Sequence, residues 1–300
     1  MNSILRRTAL LSIGLFFGLA CTRTNNDAPS GSGSSSASGG TAQNKGALTV
    51  KGSDTMVILG QRWAEAYMKK NPNVSVQVTG GGSGTGIAAL INGGTDICNA
   101  SRPMSDKEKA DVQAKRGAPA IETKVALDAL AIYVNESNTL DTIDLDQLAS
   151  IYLGQTKNWK DVGGKDENIV VYGRENNSGT YGYFKEHVLK NKDFAAEVQT
   201  LSGTSAVVNA IKGDTKGIGY GGIAYASGIR LLKVKKTKDD PAVEPKESTA
   251  LDGTYPISRY LFVYTAGDPQ GISKDFIQWI LSPDGQGVVK DVGYFPLPKS

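Results

Sequence analysis

Residues that build metal centres and cross-links are scarce in this chain: two cysteines and one histidine among 300 residues. Cys21 closes an apolar run near the N-terminus, which leaves Cys98 alone in the body that follows. No disulfide can form within that body, and His187 with Cys98 cannot make a His/Cys metal site. An excess of one charge is also lacking. Lys and Arg number 33 against 30 Asp and Glu, a formal net charge of +3, which argues against nucleic acid as a main partner. Long apolar runs are missing too, since residues 8–20 fall short of the ~20 needed for a membrane span. The body has neither a G-x-S-x-G elbow nor an S-x-x-K motif, so acyl transfer has no obvious machinery. Cys98, in "TDICNAS", reads as a small core residue of a buried strand, and His187 as a structural residue of a helix.

What is present begins with a secretory signal. Arg6 and Arg7 precede the apolar run, Ala20 ends it, and Cys21 follows. This order suggests lipoprotein processing after a signal peptide at 1–21, with Cys21 as the lipidated first residue. Plain cleavage nearby and an uncleaved anchor are the alternatives. Residues 22–46, "TRTNNDAPSGSGSSSASGGTAQNKG", have almost nothing apolar to bury and read as a flexible tether between an anchor and a folded body.

From residue 47 onward, two-period and helical segments alternate. "ALTVKGS" reads as a strand, "DTMVILGQRWAEAYMKKNP" as an amphipathic helix stopped by Pro72, and "VSVQVTG" as a strand again. Ser105 and Glu108 stand at capping-box spacing before another helix. The alternation predicts an α/β body with mainly parallel sheet. Two strands, "TKVALDALAIYVN" and "YPISRYLFVYT", are unusually long and bracket a middle block. Two crossings of this kind predict an outer domain, 47–130 with 256–300, and an inner inserted domain, 131–255, hinged around a cleft.

Three strand-to-helix junctions carry hydroxyls or glycines: "KGSDTM", "TGGGSGTG" and "RENNSGTYGYF". Each offers hydroxyl donors and free backbone N–H groups at a helix start, where the helix dipole favours an anion. Ser and Thr are also ordinary helix caps, so one junction alone is weak. Three together, with Arg174 four residues before Ser178, point to an oxyanion site, because a guanidinium fork makes paired bonds to tetrahedral oxyanions. The glycine loop lacks the Gly-Lys-Ser/Thr ending of a nucleotide P-loop and fits the dinucleotide fingerprint only loosely, at Gly84, Gly86 and Ala89.

With "DICNASRPM", "IYLGQTKNW" and "GIGYGGIAYA" added in order, these motifs resemble the phosphate-binding family among the substrate-binding proteins of bacterial ABC importers. The resemblance spans the body from about Leu48 to Pro298. It implies a two-domain venus-flytrap of the type II periplasmic-binding-protein kind, with two crossover strands as the hinge. It also implies an extracytoplasmic receptor that delivers inorganic phosphate to the permease subunits of an ABC importer. Such a receptor is a monomer without cofactor or catalysis, held to the cell membrane by lipid on Cys21. Carried over by motif, the ligands are Ser53, Thr55, Met56 through its backbone, Ser83, Arg174, Ser178, Gly179 and Thr180. The chain departs from the family pattern after "NAS", where Arg102 stands in place of an acidic residue; Arg102 is then a second cation on the ligand, or it points away and leaves Ser101 to donate. The missing acceptor for the proton of phosphate makes Asp54 a further candidate, against its reading as a helix cap. Another tetrahedral oxyanion (sulfate, molybdate or tungstate) and a secreted phosphate-ester hydrolase are the competing functions.

Overall fold

The computed structural model describes residues 46–298. The signal peptide, the lipidation site at Cys21 and nearly all of the tether lie outside the described residues. Strand β1 (Gly46–Gly52) runs into a short 3-10 turn at Asp54–Met56 and then helix α1 (Val57–Lys70). Strand β2 (Val74–Thr79), helix α2 (Ser83–Ile91), strand β3 (Ile97–Ala100) and helix α3 (Asp106–Arg116) follow. β1 pairs in parallel with both β2 and β3. On α1 the apolar residues Leu59, Trp63 and Tyr67 recur at helical spacing, and all three are buried. The predicted capping box on α3 is formed: Glu108 N–H donates to Ser105 Oγ, and Ser105 N–H donates to the Glu108 carboxylate.

Strand β4 (Ala120–Val134) then leaves this half of the molecule. Every residue from Val125 to Val134 is buried, so the strand does not alternate; it is covered on both faces. Beyond it come strand β5 (Thr142–Asp144), helix α4 (Leu145–Tyr152), strand β6 (Val170–Arg174) and helix α5 (Gly179–His187). Strand β7 (Gln199–Leu201), helix α6 (Thr204–Gly213), strands β8 (Gly217–Gly222) and β9 (Arg230–Lys235), and helix α7 (Glu247–Leu251) complete the middle block. Strand β10 (Ser258–Ala266) returns, and helices α8 (Gly271–Leu281) and α9 (Pro283–Val292) pack back on α1. The short elements β5, β7 and α7 carry too few residues for a periodic signal and are not visible in the sequence.

Among the described residues the strands follow the order β2-β1-β3-β10-β4-β8-β6-β7, with β9 joined to β4 and β5. Parallel pairing holds inside each half: β1 with β2 and β3, β6 with β7 and β8, and β5 with β9. The expectation of mainly parallel sheet fails at the crossing strands. β10 is antiparallel to β3 and β4, and β4 is antiparallel to β8 and β9. The reason is directional, because a chain that leaves on β4 and returns beside it on β10 must run the opposite way. β4 pairs with β10 as far as Ala129 and with β8 from Leu130 onward.

One core surrounds Tyr152, Phe184 and Tyr220 in the middle block, with Phe184 stacked on Tyr220 at 4.1 Å between ring centroids. Another joins β1, α1, α8 and α9. Cys98 lies in a third core with Ile87, Leu90 and Phe262, wholly buried, as read from the sequence. Burial pushes its thiol pKa far up, so little nucleophilic thiolate forms. In a Cys21→Ser protein a thiol reagent is expected to leave the native chain unlabelled and to modify Cys98 only on unfolding. Rapid labelling without denaturant would contradict this packing.

Candidate functional site

The three junctions converge between the two halves. Ser53, Thr55, Ser83, Ser101, Ser178 and Thr180 are all buried, a concentration of hydroxyls that an apolar interior does not tolerate without partners. Thr55 Oγ1 lies 2.8 Å from Thr180 Oγ1, across the boundary between the halves. Ser83 Oγ accepts from Ser101 N–H at 3.0 Å and lies 3.4 Å from Ser101 Oγ. Ser178 is the N-cap of α5, and its Oγ accepts from the N–H groups of Thr180 and Tyr181. It fills the capping role and keeps one hydroxyl hydrogen to donate. Gly179 is required by the approach itself: a Cβ there would sit 2.3 Å from Ser83 Oγ and 2.7 Å from Ser101 Oγ.

Arg174 ends β6 in this cluster, only 2% exposed. Its Nη1 donates to Thr204 Oγ1 at 3.0 Å and its Nη2 to Asp54 Oδ2 at 2.8 Å, while Nε is buried without a partner. Burial pushes the guanidinium pKa down and Asp54 pushes it back up. The Asp54 carboxylate comes from the other half, and its Oδ1 also accepts from Gly81 N–H at 2.7 Å, tying the glycine loop to the arginine. The loop is further held by Gly84 N–H on Asn177 O at 2.9 Å and by Asn177 Nδ2 on Gly81 O at 3.0 Å.

Two candidates stand apart from this convergence. Met56 N–H donates to Ser53 O at 3.0 Å and closes the 3-10 turn, and its side chain is in the core. Its backbone is therefore used by the turn rather than left open. The Arg102 fork is filled by Glu108, with bonds of 2.8 and 2.7 Å, so the guanidinium is neutralised on the capping residue of α3. Arg102 is thus engaged by a carboxylate, while Ser101 lies beside Ser83.

Other residues here escaped the sequence reading. Tyr225 Oη donates to Asp54 O at 2.7 Å, and Tyr294 Oη to Thr55 O at 2.6 Å, so two tyrosines clamp the backbone of the first junction. Burial pushes the Tyr225 hydroxyl up to about 12, which keeps it protonated and donating. Asp128 on β4 and Arg259 on β10 form an almost wholly buried pair. Nε and Nη2 of Arg259 donate to Asp128 Oδ2 at 3.1 and 3.0 Å, and Asp128 Oδ1 accepts from Ile223 N–H. Burial pushes the Asp128 carboxyl pKa up, with Arg259 opposing it. Removing one member of such a pair costs about 3–5 kcal/mol. The available signal was an unlike charge in the middle of each long apolar strand.

Buried hydroxyls, N–H groups at a helix start and a fixed guanidinium can hold a tetrahedral oxyanion by directed donors. No group of His, Cys, Asp and Glu able to hold a metal occurs among the described residues. His187 Nδ1 is engaged with Tyr183 O at 3.0 Å, and its ring stacks on Tyr183.

A family model described as a PBP superfamily domain matches residues 37–284. The phosphate-binding protein PstS of Pseudomonas aeruginosa is 36% identical over 270 residues, covering 84% of each chain. PstS of Bacillus subtilis is 32% identical over 290 residues, covering 96% of this chain and 92% of that one. This chain belongs to the PstS phosphate-binding protein family. A solved structure of a phosphate ABC transporter substrate-binding protein from Clostridium perfringens, with bound phosphate, superposes with a TM-score of 0.76 at 29% identity, covering 84% of this chain and 99% of that one. An ABC-type phosphate transport receptor from Vibrio cholerae superposes at 0.68 with 27% identity, covering 83% and 100%. The architecture is accordingly the two-domain venus-flytrap of the type II periplasmic-binding-protein kind, with β4 and β10 as the crossing strands.

The contact at Gly179 generates a test. Gly179→Ala places a methyl into Ser83 and Ser101, so the halves cannot close as they do here. The expected result is a larger radius of gyration by small-angle scattering and a stability loss of about 1–3 kcal/mol. An unchanged radius and melting temperature would mean that α5 does not rest on those serines.

Proposed function

We propose that this chain binds one inorganic phosphate ion between its two domains and delivers it to the permease subunits of an ABC importer. The observation that carries this reading is Arg174, a buried guanidinium with an unpaired Nε among converging hydroxyls. The proposed ligands are Ser53, Thr55, Ser83, Ser101, Arg174, Ser178, Gly179 through its N–H, and Thr180. Asp54 holds Arg174 and the glycine loop, and its carboxylate has acceptor capacity left for the proton of phosphate. That proton distinguishes phosphate from sulfate, which has none near neutral pH. Catalysis and cofactor play no part in this reading. The domains divide at 47–130 with 256–300 and at 131–255, a division supported by the change of partner along β4 at Leu130. The protein works as a monomer outside the cytoplasm, tethered by residues 22–46 to lipid on Cys21.

Calorimetric titration of ligand-stripped protein with phosphate, sulfate and molybdate tests the function. Tight binding of phosphate alone is expected. Preference for another oxyanion, or turnover of a chromogenic phosphate ester without added metal, would overturn it. Arg174→Ala is expected to weaken phosphate binding by ~1.5–3 kcal/mol for each charged hydrogen bond lost. Arg174→Lys should recover only part, because an ammonium lacks the planar fork. Full affinity in Arg174→Ala would remove the arginine from the site.

Anchoring has its own measurement. Cys21→Ser is expected to move the protein from the membrane fraction to the soluble extracytoplasmic fraction, with phosphate affinity unchanged. Continued sedimentation with membranes would replace the lipid anchor by an uncleaved apolar one.

A further inference from the structure

The pair formed by Asp128 and Arg259 joins the two crossing strands, and it does more than neutralise itself. Arg259 Nη2 also donates to Thr180 Oγ1 at 2.9 Å, and Thr180 Oγ1 in turn lies 2.8 Å from Thr55 Oγ1. A guanidinium only donates, whereas a threonine hydroxyl has one hydrogen to give and two lone pairs to receive. With Arg259 occupying one lone pair, Thr180 must send its single hydrogen elsewhere, toward Thr55 or toward an anion between them. Donation from a cation also polarises the hydroxyl and strengthens its own donation.

A second observation separates Arg259 from a purely structural arginine. Its Nη1 is buried without a hydrogen-bond partner, as is Nε of Arg174. Most buried side-chain donors in folded proteins are paired, and an exception calls for an explanation. Here two guanidinium groups are each balanced by one carboxylate (Asp54 for Arg174, Asp128 for Arg259) and each keeps a donor to spare, with Arg174 on the Thr204 hydroxyl and Arg259 on that of Thr180.

We infer that Arg259 is a positioning residue of the oxyanion site, orienting the Thr180 hydroxyl so that its hydrogen is given to the bound ion. The inference rests on the phosphate-binding reading given above. It makes the crossing strands part of the site: Asp128 on β4 fixes Arg259 on β10, and Arg259 fixes Thr180 on α5.

The test is a double-mutant cycle between Arg259→Lys and Thr180→Val, read by calorimetric titration of the full chain with inorganic phosphate. Arg259→Lys retains the charge beside Asp128 but loses the fork that reaches Asp128 and Thr180 together. It is expected to weaken phosphate binding about tenfold, the scale of one charged hydrogen bond. Thr180→Val is expected to weaken binding as well, and in that background Arg259→Lys should change affinity less than about twofold, because the two act as one unit. Losses that multiply, or an Arg259→Lys protein with unchanged affinity, overturn the positioning role. Unchanged affinity in Thr180→Val alone removes Thr180 from the site and fails the binding reading itself, a result distinct from multiplying losses. Should Arg259→Lys not fold, Asp128→Asn/Arg259→Gln removes both charges together and carries the same comparison.

Discussion

Arg174 cannot occupy its position without Asp54. A cation that has lost nearly all contact with water needs a counter-charge and hydrogen bonds, or its burial costs several kcal/mol. The counter-charge comes from the opposite domain, at the first junction, 120 residues earlier in the chain. Both domains therefore have to meet for the arginine to be satisfied. The same carboxylate holds Gly81, so the ion pair also fixes the glycine loop, whose Gly81 and Gly82 take positive φ.

The backbone around this pair is held by groups that never touch it directly. Tyr225 and Tyr294 bond the carbonyl oxygens of Asp54 and Thr55, one from the end of β8 and one from beyond α9. Burial pushes the pKa of both hydroxyls up, and both donate to the first junction. Ser178 spends its oxygen on the start of α5, and Gly179 lets that start reach Ser83 and Ser101. The capping role leaves the Ser178 hydrogen available, because acceptance uses lone pairs and donation uses the hydrogen.

The crossing strands show the same economy. β4 and β10 connect the domains, so their buried stretches read as apolar runs, yet Asp128 interrupts the buried stretch of β4 and Arg259 stands near the start of β10. Asp128 and Arg259 face each other there because antiparallel pairing places position 259 opposite position 128. A charge pair inside apolar strands adds no stability over an apolar pair of equal volume. What this pair also reaches is the hydroxyl of Thr180 at the start of α5.

From the sequence alone the alternation of strands and helices, the two long strands and the three junctions could be read, because periodicity and capping chemistry are local. Ser83, Arg174, Ser178 and Thr180 were legible as candidates for the same reason, Ser101 only through the family resemblance, and Cys98 as core. Where the chain folds back was not legible: the antiparallel run of β10, the short strands β5 and β7, and the tyrosine clamps all depend on residues far apart in sequence. Arg102 shows the limit most plainly. Its place after "NAS" left open a second cation on the ligand or a side chain turned away, and only the fold reveals that Glu108, in the first turn of α3, fills its fork. Residue types and spacing thus determined the kind of chemistry this chain can do. Which charges are free to do it was decided by tertiary structure, because a buried charge takes whichever partner the fold brings within reach.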